Sequence, residues 1–327
     1  MPRFLLVKIQ KLCTFIAMDS QNKPSESNWK EPEVNHDVVN LPFKYYIFDW
    51  DNNILHMPTR IHLEKKTQSG SWEPIAVSTS FYALVRNDFE NYRPPDGDWE
   101  NAFREFRDFA HEEESCFLRD TRAALEPVIA GEQKPGPSFR QFRRALIEGR
   151  LFAIVTARGH RSETIREGVK YFISHVLTQE EQNTMMANLR GYRAAYEKGE
   201  GYLTNEEVLE LFLDLNQYHA VTSPDFRARM GADKPGVDIQ EEAKQFAIKN
   251  FMDHVFRIMR RSGVDKPISV GFSDDDPRNV RAVVDFIEQE LHREFPQVKF
   301  VVYDTSEADV PDGRKIVVSG QMELPFE

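Results

Sequence analysis

Residues 43–56 read FKYYIFDWDNNILH, and their reading decides the fold. FKYYIF is aromatic and apolar apart from Lys44, the composition of a buried strand. The run stops abruptly at Asp49, and Asp51 follows two positions later. Residues i and i+2 share a face where strand geometry continues, so both carboxylates can enter one site. Acids that close repel unless a cation or a shared proton relieves them, and hard oxygen ligands select Mg²⁺. Taken alone, the motif reads equally well as a polar turn, because Asp and Asn are ordinary loop residues.

Two further strands end in the same manner. LFAIV at 151–155 runs into Thr156-Ala157-Arg158-Gly159, and ISVGF at 268–272 runs into Ser273-Asp274-Asp275-Asp276-Pro277. A hydroxyl such as Thr156 before a helix start suits a phosphate oxygen, although a plain N-cap region uses the same residues. Helices are expected at about 99–125, 161–175, 178–216, 238–261 and 277–294. Capping boxes at Thr204–Glu207 and Asp238–Glu241, and Pro277 in a first turn, mark three of the starts. Short strands are expected near 218–222, 299–303 and 315–318. Strands alternating with helices predict an α/β fold, a Rossmann-like parallel sheet with helices on both faces. Ligands of such sheets bind beyond the carboxyl ends of the strands.

Acid pair, hydroxyl, lysine-bearing helix and acid cluster, in this order and each at a strand end, resemble the haloacid dehalogenase-like (HAD) phosphohydrolase superfamily. YYIFDWDNN (45–53) is similar to its first motif, LFAIVT (151–156) to its second and ISVGFSDDDPRN (268–279) to its fourth. The resemblance implies Asp49 as nucleophile, Asp51 as acid/base and Thr156 as donor to a phosphoryl oxygen. It implies Mg²⁺ held by Asp49, the Asp51 backbone carbonyl, and Asp274 or Asp275. Asn53, Ala157 and Arg158 are candidate substrate contacts. The third-motif lysine is assigned to Lys244 on the 238–261 helix, with Lys249 and Lys234 as alternatives. Asn52, Asn53, Ser273 and Asn279 depart from the family pattern.

The resemblance divides the chain into a HAD-like core (41–56, 145–177 and 217–327), a mostly helical cap insertion (57–144) and a second helical insertion (178–216). Residues 1–40 read as a polar, disordered leader, with Met18 as an alternative start and a basic targeting segment as the rival reading. Arg104, Arg107 and Arg119 of the cap read as an exposed mixed-charge face rather than an anion site.

Composition narrows the function. Of 327 residues, 40% are hydrophobic and 29% charged, with 42 basic against 53 acidic residues and a net charge of −11. That balance opposes wrapping of nucleic acid or binding to an anionic membrane, but not a small phosphorylated substrate. Two cysteines, Cys13 and Cys116, make no disulfide framework and suggest a reducing, cytoplasmic setting. Three rivals explain less. A DxD glycosyltransferase leaves Thr156 and the 274–276 acids idle. A phospho-receiver is too compact for the 57–144 insertion. A catalytically silent HAD-like scaffold has to explain the intact Asp49 and Asp51.

Overall fold

The computed structural model describes residues 34–35, 38–108, 115–196, 201–231, 239–263 and 266–319. Most of the leader, Lys234 and the Asp238 cap lie outside the described residues. Six strands form the main sheet: β1 (Phe43–Phe48), β5 (Phe152–Thr156), β6 (Gln217–Ala220), β7 (Ile268–Asp274), β8 (Val298–Asp304) and β9 (Arg314–Ser319). Their order is β6-β5-β1-β7-β8-β9; the first five are parallel and β9 runs antiparallel on the edge. The chain leaves β1 toward β5 and β6, then crosses back to β7. The strand order therefore reverses at β1, the position where open α/β sheets place a crevice.

Alternation along β1 explains why helices cover both faces. Tyr46 and Phe48 point into one apolar cluster, and Phe43, Tyr45 and Ile47 into the other. The first cluster is closed by α2 (Cys116–Ile129), α3 (Phe139–Ile147), α4 (Ser162–Val176), α5 (Gln179–Tyr196) and α6 (Asn205–Leu215). The second is closed by α8 (Ile239–Ser262) and α9 (Pro277–Phe286). The short α7 (Pro224–Met230) contributes Phe226 to that second cluster. Thr204 and Glu207 form the expected capping box of α6, and Gly263 at φ +63° follows the end of α8.

Three expectations change. The insertion after β1 holds a sheet beside its helices: β2 (Ile61–Lys66), β3 (Trp72–Val77) and β4 (Tyr92–Arg93) form a second, antiparallel sheet ordered β3-β2-β4. One short helix, α1 (Thr79–Val85), joins β3 to β4, and Ile61, Leu63, Val77, Ala102 and Phe106 make a small separate core. Helices α2, α3, α5 and α6, expected within insertions, bury Phe117, Phe142, Met185 and Phe212 in the main core instead. The described end of the expected leader packs on the fold: Val38 is buried and accepts from the Tyr192 hydroxyl, and Asn35 bonds Glu148. Among the described residues, no helix is long and apolar enough to cross a membrane.

Candidate active site

The residues after β1 explain how two acids reach one side. Trp50, between them, is fully buried against Phe117 and Phe142. Asp49 and Asp51 therefore leave the core together, as two-residue periodicity requires. The chain then turns tightly: Asn52 adopts φ 54° and donates its amide to the Leu55 carbonyl at 2.8 Å. Asn tolerates the left-handed region better than most side chains, which suits it to this turn.

Asn53 is the correction among the substrate-contact candidates. It is 0% exposed, and its amide nitrogen donates to the Asp49 carbonyl at 2.9 Å and the Ser273 hydroxyl at 2.9 Å. Its oxygen accepts from Ser138 and Thr305, both at 2.8 Å. Asn53 thus ties the ends of β1 and β7 together, and nothing of it is left to meet a substrate. Asn53 and Ser273, at the ends of two neighbouring strands, thus bond one another. Gly136 passes over this turn so closely that a Cβ would lie 2.5 Å from the Asn53 carbonyl oxygen.

Among the described residues, Lys244 is the lysine at the site. It lies in the second turn of α8, only 3% exposed, with its ammonium 2.5 Å from Asp274 and 3.4 Å from Asp49. Lys249 is ruled out, being paired with Glu294 on the surface at 2.6 Å. Asp274 is fully buried and accepts from the Asp276 amide at 3.0 Å and Asn279 at 3.1 Å. Asn279, another departure, so supplies a neutral donor that steadies Asp274 without adding charge.

Oxygens of Asp49, Asp274 and Asp275 lie within 4.8 Å of one another. Burial, reinforced by Asp274, Asp275 and Asp51, holds the Asp49 carboxyl well above the usual carboxylate range, although Lys244 opposes this. Burial and Asp274 push Asp275 up to about 7. Burial would lower the Lys244 ammonium, but the attraction of Asp274 and Asp49 overrides it and holds it above its ordinary value. Three crowded, desolvated carboxylates against one lysine are a donor set that a divalent cation fits.

Thr156 ends β5 beside β1 and donates to Asp51 at 3.3 Å. Ala157 is exposed, with its carbonyl bonded by Thr222. Arg158, expected to touch substrate, is 1% exposed and serves Asp51 instead. Its guanidinium grips both Asp51 oxygens, at 2.8 and 2.6 Å, and donates to Thr59 at 2.6 Å. It also sits 4.8 Å from the Phe106 ring and 5.3 Å from the Phe117 ring. Thr59 in turn donates to Asp120 at 2.6 Å. The segment leading into β2 is thereby tied to the same arginine that holds Asp51. The Arg158 side chain precedes α4 in the sequence, and only its type, not this contact, is visible there.

Arg104, Arg107 and Arg119 are engaged locally, with His62, Glu100 and Asp120 respectively. Comparison of the chain with models of known families, with curated proteins and with solved structures finds no match.

Proposed function

We propose that the protein is a Mg²⁺-dependent phosphohydrolase of the haloacid dehalogenase-like type, acting on a small phosphorylated substrate in the cytoplasm. One observation carries the reading: Asp49, Lys244, Asp274 and Asp275 converge at the carboxyl ends of β1 and β7, beside Thr156 on β5. In this reading Asp49 attacks phosphorus and forms an aspartyl-phosphate, dividing one difficult displacement into two. Asp51 protonates the leaving oxygen and then takes a proton from the attacking water. Lys244 offsets the charge of the nucleophile, and Thr156 donates to a phosphoryl oxygen. Mg²⁺, when held by Asp49, Asp274, Asp275 and the Asp51 carbonyl, would counter the repulsion between nucleophile and dianionic substrate.

The Arg158 grip on Asp51 favours a second reading, a binding module that keeps the site but not the turnover. Hydrolysis of an aryl phosphate with and without Mg²⁺, with Asp49→Asn as control, separates the two. Metal-dependent turnover lost in the variant supports the enzyme. No turnover, and no Asp49-dependent thermal shift with beryllofluoride and Mg²⁺, supports the binding module.

A further inference from the structure

Helix α4 starts without a cap of its own. Arg161 holds the N-cap position, makes no side-chain capping bond, and its side chain is 71% exposed. The backbone amide of an N-cap residue is the donor that a capping box satisfies from within the helix. Here the acceptor comes from 53 positions earlier. Asp108 Oδ2 takes the Arg161 amide at 2.7 Å, and it takes the Thr164 hydroxyl at 2.9 Å. The helix dipole also favours a carboxylate at this end.

Asp108 lies where the chain returns from the inserted sheet, and its neighbours make the same connection. Phe106 belongs to the small core with Ile61, Leu63 and Val77, and its carbonyl accepts the Gly159 amide at 2.9 Å. Where the chain enters the sheet, Thr59 accepts from Arg158 at 2.6 Å. Both ends of the segment carrying the sheet therefore land on one stretch, residues 158–164. That stretch starts just after Thr156, and its Arg158 grips both oxygens of Asp51. The main sheet holds the stretch from the other side. The Thr156 and Arg158 carbonyls accept from the Val221 and Thr222 amides at 2.9 and 3.2 Å, next to the end of β6.

We propose that residues 158–164 form a latch, fastened by Asp108 at one end and Thr59 at the other, that couples the seating of the inserted sheet to the turn holding Asp51. The two fastenings share one short stretch of chain, so loosening either frees the other. Asp108 is a positioning residue in this device: it acts on Asp51 only through α4 and Arg158. The proposal does not depend on the phosphohydrolase reading.

The test is amide hydrogen exchange of the full chain, read by mass spectrometry in three segments: the inserted sheet (61–77), the start of α4 (161–165) and the turn after β1 (50–55). Asp108→Ala should speed exchange roughly tenfold in all three. Adding Arg161→Ser gives α4 a local cap. The start of α4 should then recover while the inserted sheet and the turn stay fast. Thr59→Val, which touches no part of α4, should also speed exchange at 161–165. Three results overturn the proposal and leave Asp108 a plain helix cap: acceleration confined to 161–165 in Asp108→Ala, recovery of all three segments with Arg161→Ser, or no response of 161–165 to Thr59→Val. Thr59→Val removes only a hydroxyl and keeps the side chain's shape, so it decides the question even where Asp108→Ala fails to fold.

Discussion

Replacing Arg158 by Met tests whether the arginine holds Asp51 and the segment leading into β2 together. Met keeps apolar bulk between Phe106 and Phe117 but deletes two bonds to Asp51 and one to Thr59. Breaking a buried ion pair by removing one partner costs about 3–5 kcal/mol. The Asp51 side chain is 19% exposed and so recovers some hydration, which places the expected loss near the lower end, ~3 kcal/mol. Arg158→Lys keeps the charge but not the planar fork and should lose roughly half as much. The assay is urea unfolding, with a double-mutant cycle against Asp51→Asn. The two side chains touch, so the cycle should show a coupling of at least ~1.5 kcal/mol. Additive single losses, or a loss below ~0.5 kcal/mol for Arg158→Met, would refute the reasoning. The arginine would then be a spectator packed between two rings.

Asp49→Asn should abolish any phosphatase turnover while stabilising the metal-free protein by ~1–2 kcal/mol in thermal unfolding, because it removes one of three mutually repelling buried acids. Phe142→Ala should cost about 3–5 kcal/mol in urea, since the ring is fully buried and meets Phe48, Phe152 and Phe172 at centroid distances of 5.3, 5.4 and 5.0 Å. His160 is 0% exposed, and burial with Arg158 nearby pushes its imidazole down from 6.5 to about 2. Between those values the unfolded chain binds a proton that the folded one rejects, so stability falls as pH drops below 6.5. His160→Leu should therefore remove about 1.4 kcal/mol per pH unit of that acid sensitivity, measured as the difference between wild-type and variant unfolding curves at pH 6 and pH 4.

Much of the main sheet was legible because its signals are local. β1, β5 and β7 are near-continuous apolar runs, each ended by polar residues, and burial on both faces leaves such runs little else to become. Lys244 was legible for a related reason: a helix start lying near the strand ends puts its second turn at the site. The small sheet was missed although its signal was present. Ile61 and Leu63 alternate with polar residues, and a five-residue polar turn containing Gly70 at φ +84° leads to β3. Within 57–144 that period-two pattern lies among longer helical stretches, which mask it. Helices α5 and α6 were misplaced because an amphipathic stripe says that a helix packs, not on what. Arg158 and Asn53 were misassigned because both partners of each contact come from distant segments, with Asp51 107 positions from Arg158 and Thr305 252 from Asn53.

Asn53, Ser273 and Asn279 follow a single physical logic. At the end of β1 the fold gathers carboxylates whose mutual repulsion favours splaying the strand ends apart. Lys244 offsets part of that charge, but it bonds Asp274 and Asp49 and leaves Asp275 crowded. The remaining restraint is neutral. Asn53 laces the β1 end to Ser273, Ser138 and Thr305, and Asn279 holds Asp274 from the start of α9. Amides suit this task because they donate and accept without adding charge to a site that already has too much of one sign. Asn53, Ser273 and Asn279 are therefore explained as the neutral frame that keeps Asp49, Asp274 and Asp275 close to one another.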